Sequence, residues 1–198
     1  MNYDYNKGMS EPFLYRILRP IGIIVMFGFY NLKIENKEVI PKQGSVVIAG
    51  NHKDYFDPLC VDAATRRTVY ALCFETYYYA HEWFFKNVGS IPVKEKHGKE
   101  ALVAAIDHLN QGCIINISPE GQMNKSDELL LPFKKGMAIM AKETNSKIIP
   151  YSITGDYKFR SRNLKICFGE PIDVSGMEVE EITALVYKKV EELLLKNR

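Results

Sequence analysis

Hydrophobic positions along this chain recur in two alternating patterns. Residues 45–50, Ser-Val-Val-Ile-Ala-Gly, form a short β-branched run bounded by glycines, the signature of a strand buried on both faces. Similar runs predict strands over 69–74, 90–93, 113–117, 148–153 and 164–168. Between them, residues 98–110 set Ala101, Leu102, Ala105, Ile106 and Leu109 at helical spacing before Gly112. Residues 135–143 predict a further helix, and residues 81–87, with Trp83, Phe84 and Phe85, a short aromatic one ended by Gly89. Asp57-Pro58 reads as a helix start, with the aspartate as cap and the proline at the first helical position. Ile182, Val186, Val190 and Leu194 mark a final amphipathic helix.

Apolar strands alternating with helices of 10 to 15 residues imply βαβ crossovers. The expected fold is α/β, a mostly parallel sheet flanked by helices on both faces, occupying residues 33–198 as one domain. Residues 1–32 are expected to form an N-terminal helical segment. Its charge-free run over 20–32 is too short to span a bilayer, which takes about 20 apolar residues. Phe13, Leu14, Ile17 and Ile21 fall near helical spacing with Arg16 and Arg19 on other faces. That pattern fits a helix lying in a membrane interface with its arginines reaching headgroups, and also a first helix packed on the core. No small-x-small cleavage site follows, so the segment reads as retained.

Composition narrows the function classes. With 198 residues, 46% hydrophobic and 25% charged, the chain can bury one sizeable core. Lysine and arginine total 26 against 24 acidic residues, and a net charge of +2 argues against a nucleic-acid partner. Cys60, Cys73, Cys113 and Cys167 form no CxxC pair and lie in or beside apolar runs, which predicts no zinc site and no disulfide framework.

The stretch Gly50-Asn51-His52-Lys53-Asp54-Tyr55-Phe56-Asp57-Pro58 follows a buried strand and sets a histidine and an aspartate five positions apart. Ligands of α/β sheets bind at the carboxyl ends of strands, where a histidine can serve as base and a carboxylate can hold its ring. Taken alone, Asp57 also reads as a simple cap and His52 as a solvated loop residue. Further blocks follow in order: Gly89-Ser90-Ile91-Pro92-Val93, Ser118-Pro119-Glu120-Gly121, Leu131-Pro132-Phe133-Lys134-Lys135-Gly136 and Ile149-Pro150-Tyr151-Ser152-Ile153-Thr154-Gly155. Together with NHxxxxD, this series resembles the glycerophospholipid acyltransferase family of the 1-acylglycerol-3-phosphate acyltransferase type, over about residues 34–172.

The resemblance implies transfer of a fatty acyl group from acyl-CoA or acyl-carrier protein to a hydroxyl of a lysophospholipid, at the cytoplasmic face of a membrane. His52 matches the family's general base, Asp57 the carboxylate orienting it, and Glu120 and Gly121 the block shaping the acceptor site. A thioester is already electrophilic, so the resemblance implies no protein nucleophile, metal or cofactor, the acyl thioester being a substrate. Two family arginines that meet the acceptor phosphate are replaced, near Glu95 and at Met123, which leaves Lys94, Lys96 and Lys134 as candidate cations. His81, His97 and His108 read as surface or packing residues. Two alternatives remain. One is a non-catalytic lipid-binding relative. The other is a thioesterase or lipase using Ser118, against which stands the missing G-x-S-x-G elbow.

Overall fold

The computed structural model describes residues 12–94 and 98–197; Glu95, Lys96 and His97 lie outside the described residues. Within them seven strands form one sheet: β1 (Lys33–Glu35), β2 (Val46–Gly50), β3 (Val69–Phe74), β4 (Ile91–Val93), β5 (Ile114–Ile117), β6 (Lys147–Thr154) and β7 (Lys165–Phe168). Their spatial order is β1-β7-β6-β2-β5-β3-β4. Every pairing is parallel except β6 with β7. The sequence pattern anticipates each strand but β1, whose three residues, Lys-Ile-Glu, carry too few side chains to show a period.

The central strand β2 is buried along its whole length, and its alternation divides the core. Val47 and Ala49 face the layer of α5 (Gly98–Asn110), α6 (Gly136–Thr144) and α7 (Val179–Asn197). Val46 and Ile48 face α1 (Phe13–Gly28) and α2 (Asp57–Ala64). Burying each valine or isoleucine side chain contributes about 1.5–3 kcal/mol, which accounts for unbroken apolar runs in strands covered on both sides. On α7, Ile182, Val186, Val190 and Leu194 are the four buried positions, as their spacing requires. The aromatic stretch after β3 forms two short helices rather than one, α3 (Glu75–Ala80) and α4 (Glu82–Asn87). Tyr78 is buried between the exposed Tyr77 and Tyr79.

Helix α1 is not a detached segment: Met26 and the following Leu32 belong to the core, and Gly22 lies close against Leu59 of α2. Phe13, Ile17, Ile21, Ile24 and Phe27 form an exposed apolar stripe along its other side. Arg19 departs from the sequence expectation. Its guanidinium turns inward and donates to the carbonyl oxygens of Asp62 and Thr65, because α2 ends there with unsatisfied carbonyls. Among the described residues no helix is long and apolar enough to cross a membrane.

Beside Arg19, the buried Tyr15 hydroxyl donates to Asp62 Oδ1 at 2.9 Å and accepts from the Val69 N–H at 3.1 Å. Burial pushes the Asp62 carboxyl up to about 7, against the lowering effects of Tyr15 and Arg19. Between the ordinary aspartate range and pH 7 the folded chain therefore holds a proton that the unfolded chain has lost, so stability falls as pH rises through this window. Asp62→Asn keeps an acceptor for Tyr15 and removes the titration. Denaturant unfolding at pH 5 and pH 8 is expected to show a smaller loss of stability across that interval in the variant than in the wild type.

Candidate active site

The sheet's connections create the site. From β2 the chain crosses one face through α2 to β3, and from the neighbouring β5 it crosses the other face through α6 to β6. Adjacent parallel strands whose connections leave to opposite sides open a crevice beyond their carboxyl ends. His52 and Glu120 enter that crevice, two residues after β2 and three residues after β5 respectively.

Asp57 does not cap α2; no side-chain cap bond forms there. Its carboxylate points back into the preceding loop. Oδ2 accepts from His52 Nδ1 at 2.8 Å, from the Lys53 N–H at 2.7 Å and from the Asp54 N–H at 2.9 Å. Oδ2 already accepts from two backbone N–H groups and has no hydrogen of its own to give, so the ring must present Nδ1–H. Nε2 is then the basic nitrogen, and the ring remains 24% exposed while Asp57 is 1% exposed. The loop's geometry thus selects the tautomer that a general base requires.

Glu120 is 3% exposed and works on the backbone. Oε1 accepts from the His52 N–H at 2.7 Å and Oε2 from the Leu131 N–H at 2.8 Å. Burial raises its pKa against the lowering effect of these bonds. The carboxylate ties the His52 loop to the 131–136 block, with the Asn124 N–H donating to the His52 carbonyl as a second tie. Glu120→Gln must turn an NH2 group toward one of two N–H donors. A loss of about 1–3 kcal/mol is expected, seen as a Tm about 2–4 °C lower for each kcal/mol.

Gly121 adopts φ +68°, and a Cβ there would lie 2.5 Å from Lys134 Nζ, so glycine admits both the turn and the lysine. Lys134 is thereby brought onto the Ser118–Gly121 turn, its own N–H donating to the Pro119 carbonyl. Lys94 pairs with Glu100 at 2.7 Å, and Lys96 is outside the described residues. His108 is a packing residue, buried with Nδ1 on the Ala104 carbonyl and its ring edge-on to Tyr70.

Two further residues shape the site. Asn51 extends the β2–β6 pairing by its side chain, donating to the Ile153 carbonyl at 3.0 Å and accepting from the Ile153 N–H at 2.7 Å. Its place between a buried strand and the histidine was a signal available in the sequence. Tyr157 donates to Asp57 Oδ1 at 2.7 Å from 100 residues away, and no local pattern announces it.

Fold and site together define an α/β acyltransferase: residues 31–154 match the model of the acyltransferase family, and the chain belongs to that family. It is similar to the 1-acyl-sn-glycerol-3-phosphate acyltransferase of Bacillus subtilis, 26% identical over 155 residues covering 71% of this chain and 73% of the relative. The enzyme of that description from Borreliella burgdorferi is 26% identical over 180 residues, 79% of this chain and 69% of its own. The crystal structure of the 1-acyl-sn-glycerophosphate acyltransferase of Thermotoga maritima shares the fold, with a TM-score of 0.77 at 22% identity over 93% of this chain and 80% of that one. The resemblance carried by the NHxxxxD series and the mostly parallel α/β sheet are both borne out.

Proposed function

We propose that this acyltransferase moves a fatty acyl group from acyl-CoA or acyl-carrier protein to the free hydroxyl of a lysophospholipid, 1-acylglycerol-3-phosphate foremost, with His52 as general base. The observation that carries the reading is the 2.8 Å bond from His52 Nδ1 to the buried Asp57 carboxylate at the crevice between β2 and β5. Nε2 removes the acceptor's hydroxyl proton as its oxygen attacks the thioester carbonyl, and Asp57 stabilises the imidazolium that forms. When the tetrahedral intermediate collapses, the C–S bond breaks and the departing thiolate takes the proton back from Nε2. Acyl group and proton have then exchanged carriers, and the base is regenerated.

The relatives' names support a phosphate-bearing acceptor. Lys134, beside Gly121, supplies a point cation where Met123 replaces an arginine of the family pattern, and Lys94 and Lys96 are the other cations proposed to reach the headgroup. Docking to the cytoplasmic face of a membrane as a peripheral protein is supported by the stripe Phe13, Ile17, Ile21, Ile24 and Phe27. The exposed Phe29, its ring tilted against that of Phe159 at 5.5 Å, continues it. The purified chain, given acyl-CoA or acyl-carrier protein thioester with a panel of lysolipids, is expected to release thiol only with an acceptor and to yield phosphatidate by mass. Equal thiol release without any acceptor would overturn the transfer reading in favour of hydrolysis.

A further inference from the structure

We propose that Tyr157 is a positioning residue for the acyl transfer: from the loop between β6 and β7 its hydroxyl grips Asp57 Oδ1, leaving Oδ2 aimed at the His52 ring. The inference rests on the general-base reading of His52. Asp57 carries its charge in a site 1% open to water with no lysine or arginine paired to it among the described residues, so hydrogen-bond donors must stabilise that charge. Three of them sit on Oδ2. Tyr157, at 2.7 Å, is the donor to Oδ1, and without it that oxygen is left buried without its donor, so the carboxylate is held from the Oδ2 side alone.

The phenol is built to remain a donor. Burial raises its pKa far above the ordinary tyrosine value, as do the nearby Cys60 and Asp57. Cys60 Sγ lies 3.2 Å from the Tyr157 oxygen, and burial pushes that thiol up to about 12. Since Tyr157 spends its one hydrogen on Asp57, the Cys60 S–H donates to the Tyr157 oxygen. A chain of hydrogen bonds therefore runs from Cys60 through Tyr157 and Asp57 to His52, each link polarising the next.

The loop that presents Tyr157 is fastened to the end of α1. The Arg160 N–H donates to the Phe29 carbonyl at 2.6 Å, and Asn31 Nδ2 donates to the Ser161 carbonyl at 3.3 Å. Tyr30 meets the Tyr157 ring edge-on at 5.8 Å, and Phe56, one residue before Asp57, lies 6.2 Å away. These ring contacts survive Tyr157→Phe, so the variant removes the hydroxyl and little else. Glu120, Tyr151, Cys60 and Asp54 are the other titratable groups around Asp57, and all are unchanged in it.

The test is steady-state kinetics of Tyr157→Phe across pH, with acyl-CoA and lysophosphatidate. The expected result is kcat lower by about tenfold, the worth of one hydrogen bond to a charge, with the KM values within about twofold. The acidic limb of kcat/KM is expected to move up by about half a pH unit, because a carboxylate relieved of one donor attracts the imidazolium proton more strongly. Wild-type kcat with an unmoved limb overturns the inference. So does a loss that is uniform across pH and tracks a lowered Tm, which would make Tyr157 a packing residue. His52→Ala, assayed alongside, separates the layers: an inactive His52→Ala with a wild-type Tyr157→Phe removes only this inference, whereas an active His52→Ala removes the general-base reading beneath it.

Discussion

His52→Ala is expected to lower kcat by about 10³-fold, within the range that general-base catalysis contributes, while the KM values change little. The fold should persist, because the loop is held by main-chain atoms that alanine retains: the N–H at 52 donates to Glu120 Oε1 and the carbonyl at 52 accepts from Asn124. Asp57 keeps the donors Lys53, Asp54 and Tyr157, so its buried charge is still satisfied. Only the base disappears. Acceptor-dependent thiol release reads the loss, and thermal unfolding reads the intact fold. Turnover near the wild-type rate in the variant would require another group to take the hydroxyl proton, and His108 is turned into the core with Nδ1 on the Ala104 carbonyl.

Asp57→Asn carries the second large effect, for a different reason. The Lys53 and Asp54 N–H groups require an acceptor, so the amide oxygen must take the Oδ2 position and its NH2 must face the Tyr157 oxygen. His52 then still donates from Nδ1, and the tautomer is preserved. What is lost is the negative charge that balances the imidazolium, carried by a carboxylate only 1% exposed. A kcat loss of about 10²–10³-fold is expected, with little change in substrate KM. A variant with normal kcat would mean that the aspartate serves only to shape the loop.

Much of this molecule was open to a reader of the chain alone. The runs around Val47, Ile115 and Ile149 declared strands because a segment buried on both faces needs no polar alternation, and glycines bound its turns. The four-residue period of Ile182, Val186, Val190 and Leu194 declared α7 in the same way. Arg19 and Asp57 show the limit. Residue type alone favours headgroup contact for Arg19 and helix capping for Asp57, whose role as the carboxylate behind His52 comes only from the NHxxxxD resemblance. Each was redirected by a partner from another part of the chain: the α2 carbonyls claim Arg19, and the His52 loop claims Asp57.

The order of the strands and helices, the two core faces and the histidine and aspartate of NHxxxxD were determined by the amino-acid sequence itself, since periodicity and short-range spacing are local properties of a chain. The tertiary structure alone decided that β7 runs against β6, that Glu120 clamps the backbone of His52, and that Tyr157 closes on Asp57. Those choices join atoms 68 and 100 residues apart in the latter two cases. A hydrogen bond at 2.7 Å depends on where two loops come to rest once the whole sheet has packed, and no local pattern encodes that position.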